Sequence, residues 1–250
     1  MGAVIVGNKE GYIQVTLNRP QIRNAINFEV MEVLERVIEQ AKTDMTIRAL
    51  VITGAGDVFC SGGDLSVFHS LDNQQDAYRM LSRMGNILYE LATLPKPVFA
   101  FINGPAVGGG IEIAAACDLR YVKAGTLMGF IQIKQGITTG WGGGTLLLEK
   151  VPETIGLEWL MSGKRFSAEE AYSHGFVNEI LSEINEKTIN RFIEPIIKNN
   201  IEVLTAYKNI AIRKRNASEL LIRMQEEIKR CSELWELPPH LEAVKRFRNK

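Results

Sequence analysis

Two glycine clusters, each placed directly after a short apolar run, constrain this chain more than any other feature. Residues 47–53 are a β-branched run stopped by Gly54-Ala55-Gly56, which reads as a buried strand; Phe59-Cys60-Ser61-Gly62-Gly63-Asp64-Leu65 follows it. Residues 97–102 read as a second apolar strand, followed by Asn103-Gly104-Pro105-Ala106-Val107-Gly108-Gly109-Gly110-Ile111-Glu112. Without a Cβ, glycine lets the backbone turn its N–H groups outward and lets another group approach closely. The second cluster opens into a helix expected over 108–117, whose N-terminal partial positive charge favours anionic oxygen. One such loop serves a tight turn as readily as a ligand. Two of them are a means of aiming paired amides at one developing oxyanion, with Glu112, one turn into the helix, placed to move protons beside it.

Around these clusters, strands alternate with helices. Ile13, Val15 and Leu17 alternate with Gln14, Thr16 and Asn18, the pattern of a half-buried strand. Val30, Val33, Leu34, Val37, Ile38 and Ala41 recur at three- and four-residue steps, a helix with one apolar face. A further helix is expected over 74–93, a strand over 119–122, and a helix over 143–150 after the glycine-rich stretch 129–144. Beyond Pro152 the pattern becomes helix after helix: 155–162, 167–174, 187–198 and one long helix over about 202–234. The expected layout is an α/β core over 1–180 and an all-helical region over 181–250, with no internal repeat.

With 29 Lys+Arg against 29 Asp+Glu, the balance gives no support to a nucleic-acid coat or a polybasic membrane binder. The C-terminal segment from Lys208 to Lys250 is nevertheless basic, a solvated helical face or an attraction for a polyanionic ligand. Cys60, Cys117 and Cys231 are far apart and form no C-x-x-C pair, which fits a reducing compartment better than a disulfide framework or a structural zinc. No basic start followed by an apolar run opens the chain, and no window of ~18 uninterrupted apolar residues occurs, so a cytoplasmic protein without a membrane span is expected. There is no P-loop, no G-x-S-x-G elbow and no dinucleotide fingerprint. His69, His174 and His240 have no metal-ligand spacing and read as surface or packing residues; no metal is expected.

Taken together, Asn18-Arg19-Pro20 with Asn24-Ala25, both glycine clusters, Cys117-Asp118, Gly136-Ile137 with Trp141-Gly142-Gly143, and Gly163 to Gly175 resemble the crotonase superfamily, the enoyl-CoA hydratase/isomerase family, over nearly the whole chain. The resemblance implies a spiral of ββα units with a C-terminal helical region for oligomerisation, assembly as a trimer or dimer of trimers, and an acyl-CoA substrate. It implies no separate cofactor, since coenzyme A enters as part of the substrate. By the same resemblance the N–H groups of Gly63 and Gly109 hold the thioester oxygen, while Gln21, Ile22, Arg23 and Ala25, with Gly62, Asp64 and Leu65, surround the adenine and pantetheine. The chemistry agrees, because a thioester Cα carbanion is costly unless its charge reaches an oxygen that meets fixed donors. Asp64 and Asp118 also read as caps or backbone-holding acids.

The pattern departs from the hydratases at one position. Members that hydrate use two glutamates on one water; Glu112 falls on the first position and Gln132 on the second. An amide orients water but does not exchange a proton as a carboxylate does. Thr139 replaces a usual proline, and Trp141, in place of a small residue, reads as loop packing or as a lid on a short acyl pocket. Gly136-Ile137 with Trp141-Gly142-Gly143, and Trp235 through Leu241-Glu242-Ala243, are similar to the ethylmalonyl/methylmalonyl-CoA decarboxylase branch. That branch implies loss of CO2 to a thioester enolate. Because an ionised Glu112 would repel the substrate carboxylate, the reading requires Glu112 to be protonated, and then able to act as the proton donor, or directed elsewhere. The alternative is a hydratase or isomerase in which Glu112 works with Gln132. An RNA-binding member would need a lysine-rich exposed helix, whereas the first helix carries Glu29, Glu32, Glu35 and Glu39.

Overall fold

A computed structural model of the chain describes residues 2–68, 70–71 and 73–249, so His69 lies outside the described residues. Strands β1 (Val4–Lys9) and β2 (Tyr12–Leu17) form an antiparallel hairpin, with Gly11 at a φ of 78° in the turn. β2 shows the expected alternation, burying Ile13, Val15 and Leu17. β1 was not anticipated; its side chains are largely exposed on a sheet edge, so it carries little hydrophobic signal. Helix α1 (Phe28–Thr43) starts at Asn27, whose side chain accepts the Val30 N–H, and turns Val30, Leu34, Val37 and Ala41 into the core.

β3 (Ala49–Gly54), the short α2 (Leu65–Phe68), α3 (Gln74–Thr93) and β4 (Val98–Ile102) follow. Then come β5 (Ala106–Val107), α4 (Gly109–Ala116), β6 (Leu119–Lys123), β7 (Leu127–Gly129), α5 (Gly143–Leu148) and α6 (Glu153–Ser162). β8 (Phe166–Ser167), α7 (Ala168–Ser173) and β9 (Glu179–Leu181) complete the strand-bearing part. The large sheet runs β1-β2-β3-β4-β6-β9 and is parallel from β2 onward; a small sheet runs β5-β7-β8. β4 is covered on both faces, which is why its sequence is continuously apolar rather than alternating. β4, β5 and α4 are one turn of the ββα spiral: a strand in each sheet, then a helix.

Isolated bridges Ile26↔Gly63 and Cys60↔Ala106 carry the small-sheet layer out to both glycine clusters. Two asparagines lock that region. Asn24 accepts the Arg19 N–H and donates to the Ala55 and Val58 carbonyls, while Asn103 accepts the Gly54 N–H and donates to the Gly56 carbonyl.

The expected boundary at residue 180 falls inside β9. Beyond it lie α8 (Glu186–Ile197), α9 (Ile201–Ala217), α10 (Leu220–Leu234) and α11 (Pro238–Arg248). The single helix expected over 202–234 is therefore two. Glu219 takes a left-handed φ of 54° and reverses the chain, so that α10 packs on α3 and α5. Neither glycine nor proline marks this break, and tertiary packing overrides a continuous helical pattern. α9 is tied to the core through Asp118, which accepts the Val98 N–H at 3.0 Å and pairs with Lys208 and Arg215. No helix among the described residues is long and apolar enough to cross a membrane.

Candidate active site

The two glycine loops meet at the mouth of α4, beside a cavity of about 470 Å³. Their contact is tight: a Cβ on Gly62, which has a φ of 101°, would stand 2.9 Å from the Gly109 nitrogen, and one on Gly110 2.1 Å from the Cys60 carbonyl oxygen. The Val107 N–H donates to the Cys60 carbonyl and the Gly108 N–H to that of Gly129, which fixes the second loop between the first and β7. Gly109 is the first residue of α4, so its amide has no carbonyl within the helix. Among the described residues, neither the Gly63 nor the Gly109 N–H donates to a protein acceptor. Both residues line the cavity together with Glu112.

Trp141 forms a wall across these glycines. A Cβ on Gly109 would lie 2.1 Å from Cζ3 of the indole, and one on Gly63 would lie 3.6 Å from Cζ2 and 2.6 Å from the Phe68 ring. A Cβ at either position therefore forces an aromatic ring to move.

Glu112 is 2% exposed and forms no ion pair with a described residue. Its Oε2 accepts the N–H groups of Trp141 at 3.0 Å and Gly143 at 2.9 Å, and its Oε1 lies 2.6 Å from Nε2 of Gln132. Gly143 admits the carboxyl, because a Cβ there would sit 2.1 Å from Glu112 Cγ. Burial, reinforced by nearby Glu227, pushes the Glu112 carboxyl up to about 8 against the three hydrogen bonds.

Sequence reasoning missed Glu227. From α10 it accepts the Thr139 hydroxyl at 2.5 Å and the N–H groups of Gly144 at 3.0 Å and Thr145 at 2.7 Å, and its own carboxyl is also raised, first by burial. The loop 139–145 is thus gripped by two carboxyls, that of buried Glu112 from α4 and that of half-buried Glu227 from α10. A signal existed: Glu227 shares a helical face with buried Met224, Ile228 and Cys231.

Of the other expected residues, Ile22, Arg23, Ala25, Gly62, Asp64, Leu65 and Gln132 line the cavity, whereas Gln21 is exposed on the short turn Pro20–Ile22 and does not. Arg23 takes a left-handed φ of 56°. The Asp64 carboxylate is engaged by Ser66 and Arg19. Burial opposes its charge, but the Ser66 hydroxyl at 2.6 Å and the Arg19 guanidinium at 2.8 Å hold it below the usual carboxylate range. Arg165 and Phe247, not singled out from the sequence, also line the cavity, as does Trp235.

The enoyl-CoA hydratase/isomerase family model matches residues 7–239. An ethylmalonyl-CoA decarboxylase from Xenopus laevis is 31% identical over 88% of this chain and 75% of its own length. An (E)-benzylidenesuccinyl-CoA hydratase from Thauera aromatica is 35% identical over 70% of this chain and 68% of its own. An enoyl-CoA hydratase/isomerase structure from Mycobacterium paratuberculosis superposes with a TM-score of 0.90 over 98% of both chains, at 24% identity.

Proposed function

The chain belongs to the enoyl-CoA hydratase/isomerase family, and on that premise we propose that it decarboxylates a short branched malonyl-CoA thioester of the methylmalonyl- or ethylmalonyl-CoA type. One observation carries the reading: the only side-chain partner of Glu112 among the described residues is the amide of Gln132, where water activation calls for a second carboxylate. The other carboxyl nearby, Glu227, is committed to the loop 139–145.

In this reaction the Cα–CO2 bond breaks and its electron pair moves through Cα onto the thioester oxygen. The Gly63 and Gly109 amides meet that oxygen as its charge develops, and no base is needed for this step. CO2 departs, neutral Glu112 gives its proton to Cα, and solvent restores the proton. The walls supplied by Trp141 and Phe68 keep water from the enolate. Purified protein supplied separately with ethylmalonyl-CoA, methylmalonyl-CoA and crotonyl-CoA is expected to release CO2 from the first two. Rapid hydration of crotonyl-CoA without CO2 release refutes the proposal.

The alternative, an enoyl-CoA hydratase or isomerase, is favoured by the same Glu112–Gln132 contact read as a water-holding pair, and by similarity to the Thauera aromatica hydratase. The pH dependence separates the two. With the Glu112 carboxyl raised to about 8, the acid form needed for decarboxylation is present below that pH, and turnover falls as pH rises through it. Glu227 and Cys231 of α10 face Glu112, and Glu227 is the neighbour that favours its neutral form. Glu112→Gln is expected to lower kcat by ~10²–10⁴ and to remove the alkaline limb; an unchanged limb in that variant rules Glu112 out as the donor.

The reading extends to assembly. Val203, Tyr207 and Ile210 stand exposed along one face of α9, which supports the homotrimer or dimer of trimers expected from the sequence.

A further inference from the structure

We propose that Gln132 receives the carboxylate of the substrate, its side-chain amide turned so that the oxygen accepts the Glu112 proton and the NH2 group is left to donate to the incoming anion. This rests on the decarboxylation reading and names the group that recognises the scissile carboxylate.

Hydrogen-bond bookkeeping leads to it. Glu112, buried, and Glu227, half-buried, grip one loop with their carboxyls, and neither has a cationic partner among the described residues. Two such groups do not both stay ionised at close quarters without a counter-charge. Glu227 accepts from one hydroxyl and two amides, and the Oε2 of Glu112 accepts from two amides. The remaining oxygen of Glu112, Oε1, is the place for a proton, and the group at 2.6 Å from it is the Gln132 amide. With NH2 toward Glu112, the Oε1 of Gln132 is a buried acceptor without a partner. An orphaned buried acceptor is costly, and side-chain amide orientation follows from the hydrogen-bond network rather than from atom shape.

Turning the amide by half a rotation gives the Glu112 proton an acceptor and replaces the orphaned acceptor with a donor that only a ligand can satisfy. Its oxygen accepts the Glu112 O–H, and the NH2 group becomes a donor that awaits an anion. Gln132 lines the same cavity as Gly63, Gly109 and Glu112, so an α-carboxylate on a thioester held by the two glycines enters its neighbourhood. A neutral acid and an amide donor accept that anion, whereas an ionised Glu112 would repel it. Once the Cα–CO2 bond has broken and CO2 has left, the enolate carbon is a far stronger base than the amide oxygen. It takes the Glu112 proton, so the pair that first tolerates the carboxylate then quenches the carbanion.

The test compares a ligand with the carboxylate and one without it. For wild type, Gln132→Leu, Gln132→Glu and Arg165→Ala, kcat/KM and KM for ethylmalonyl-CoA are measured beside the Kd of butyryl-CoA. Gln132→Leu is expected to raise KM for ethylmalonyl-CoA at least ~10-fold, the scale of a lost hydrogen bond to a charged group, while the Kd of butyryl-CoA stays within about twofold. Gln132→Glu, which keeps the shape and guards against a folding failure in the leucine variant, is expected to lose about 100-fold in kcat/KM through like-charge repulsion, again with butyryl-CoA binding retained. Equal losses for both ligands, an unchanged kcat/KM in Gln132→Leu, or a carboxylate-specific loss confined to Arg165→Ala each overturn this proposal alone. Absence of CO2 release from the wild-type protein overturns the decarboxylation reading and takes this proposal with it.

Discussion

Gly109→Ala is expected to lower kcat/KM for the acyl-CoA substrate by at least ~10²–10³, the effect of losing one oxyanion donor. Gly109 carries one of the two N–H groups without a protein acceptor at the cavity, and a methyl group there would stand 2.1 Å from the Trp141 ring. The indole is buried and cannot swing into solvent, so either the ring or the start of α4 must move. A shift of either misplaces the amide relative to the thioester oxygen. Gly63→Ala is expected to do less harm, since its closest neighbour, the edge of Phe68 at 2.6 Å, belongs to a side chain on the four-residue α2. Steady-state kinetics beside thermal melting check both variants. Retention of activity within tenfold of wild type in a folded Gly109→Ala protein removes the oxyanion assignment, whatever the reaction.

Asp118→Ala is expected to cost about 3–5 kcal/mol of stability, the range seen when a buried ion pair loses one partner. Asp118 stands at the end of α4, accepts the Val98 N–H, and balances Lys208 and Arg215 from α9. Arg120 and Lys150 are close by. Burial holds the Arg120 guanidinium down to about 10, and burial with the neighbouring cations holds Lys150 well below its ordinary value. Arg120 spreads its protons over the carbonyls of Phe176, Ala114, Cys117 and Asp118, but Asp118 supplies the negative charge of this cluster. Removing it leaves the cations facing each other in a low-dielectric interior. Urea unfolding followed by tryptophan fluorescence measures the loss, and Lys208→Met added to Asp118→Ala is expected to recover part of it. A loss under 1 kcal/mol in the single variant contradicts this account of how α9 is attached.

Much of this arrangement was legible beforehand. The strands at 47–53 and 97–102 and helices α1, α3 and α4 follow from periodicity and from the turn residues that end each run. The glycine loops were readable because glycine is needed where backbones come within contact distance, and the structure shows a Cβ at Gly62 or Gly110 meeting the other loop. The break at Glu219 was not legible, since a polar helical stretch carries no local instruction to reverse; the packing of α10 on α3 and α5 decides it. Spacing alone does not say which residues of a short turn reach the cavity: Ile22 and Arg23 line it, whereas Gln21, beside them on the same 3-10 turn, is exposed outside that lining.

The sequence by itself determined the alternating α/β core, the two glycine loops and the identity of Glu112 and Gln132, because these depend on residue type and on spacing along a few local elements; the spiral followed from the family resemblance. Only the tertiary structure decided how Glu112 is held and charged. Its carboxyl meets the Trp141 and Gly143 amides, the Gln132 side chain and the field of Glu227, the last brought by a helix more than a hundred residues away in the chain. Protonation answers to burial and to the charges within a few ångströms, and those are properties of packing in space that no local pattern records.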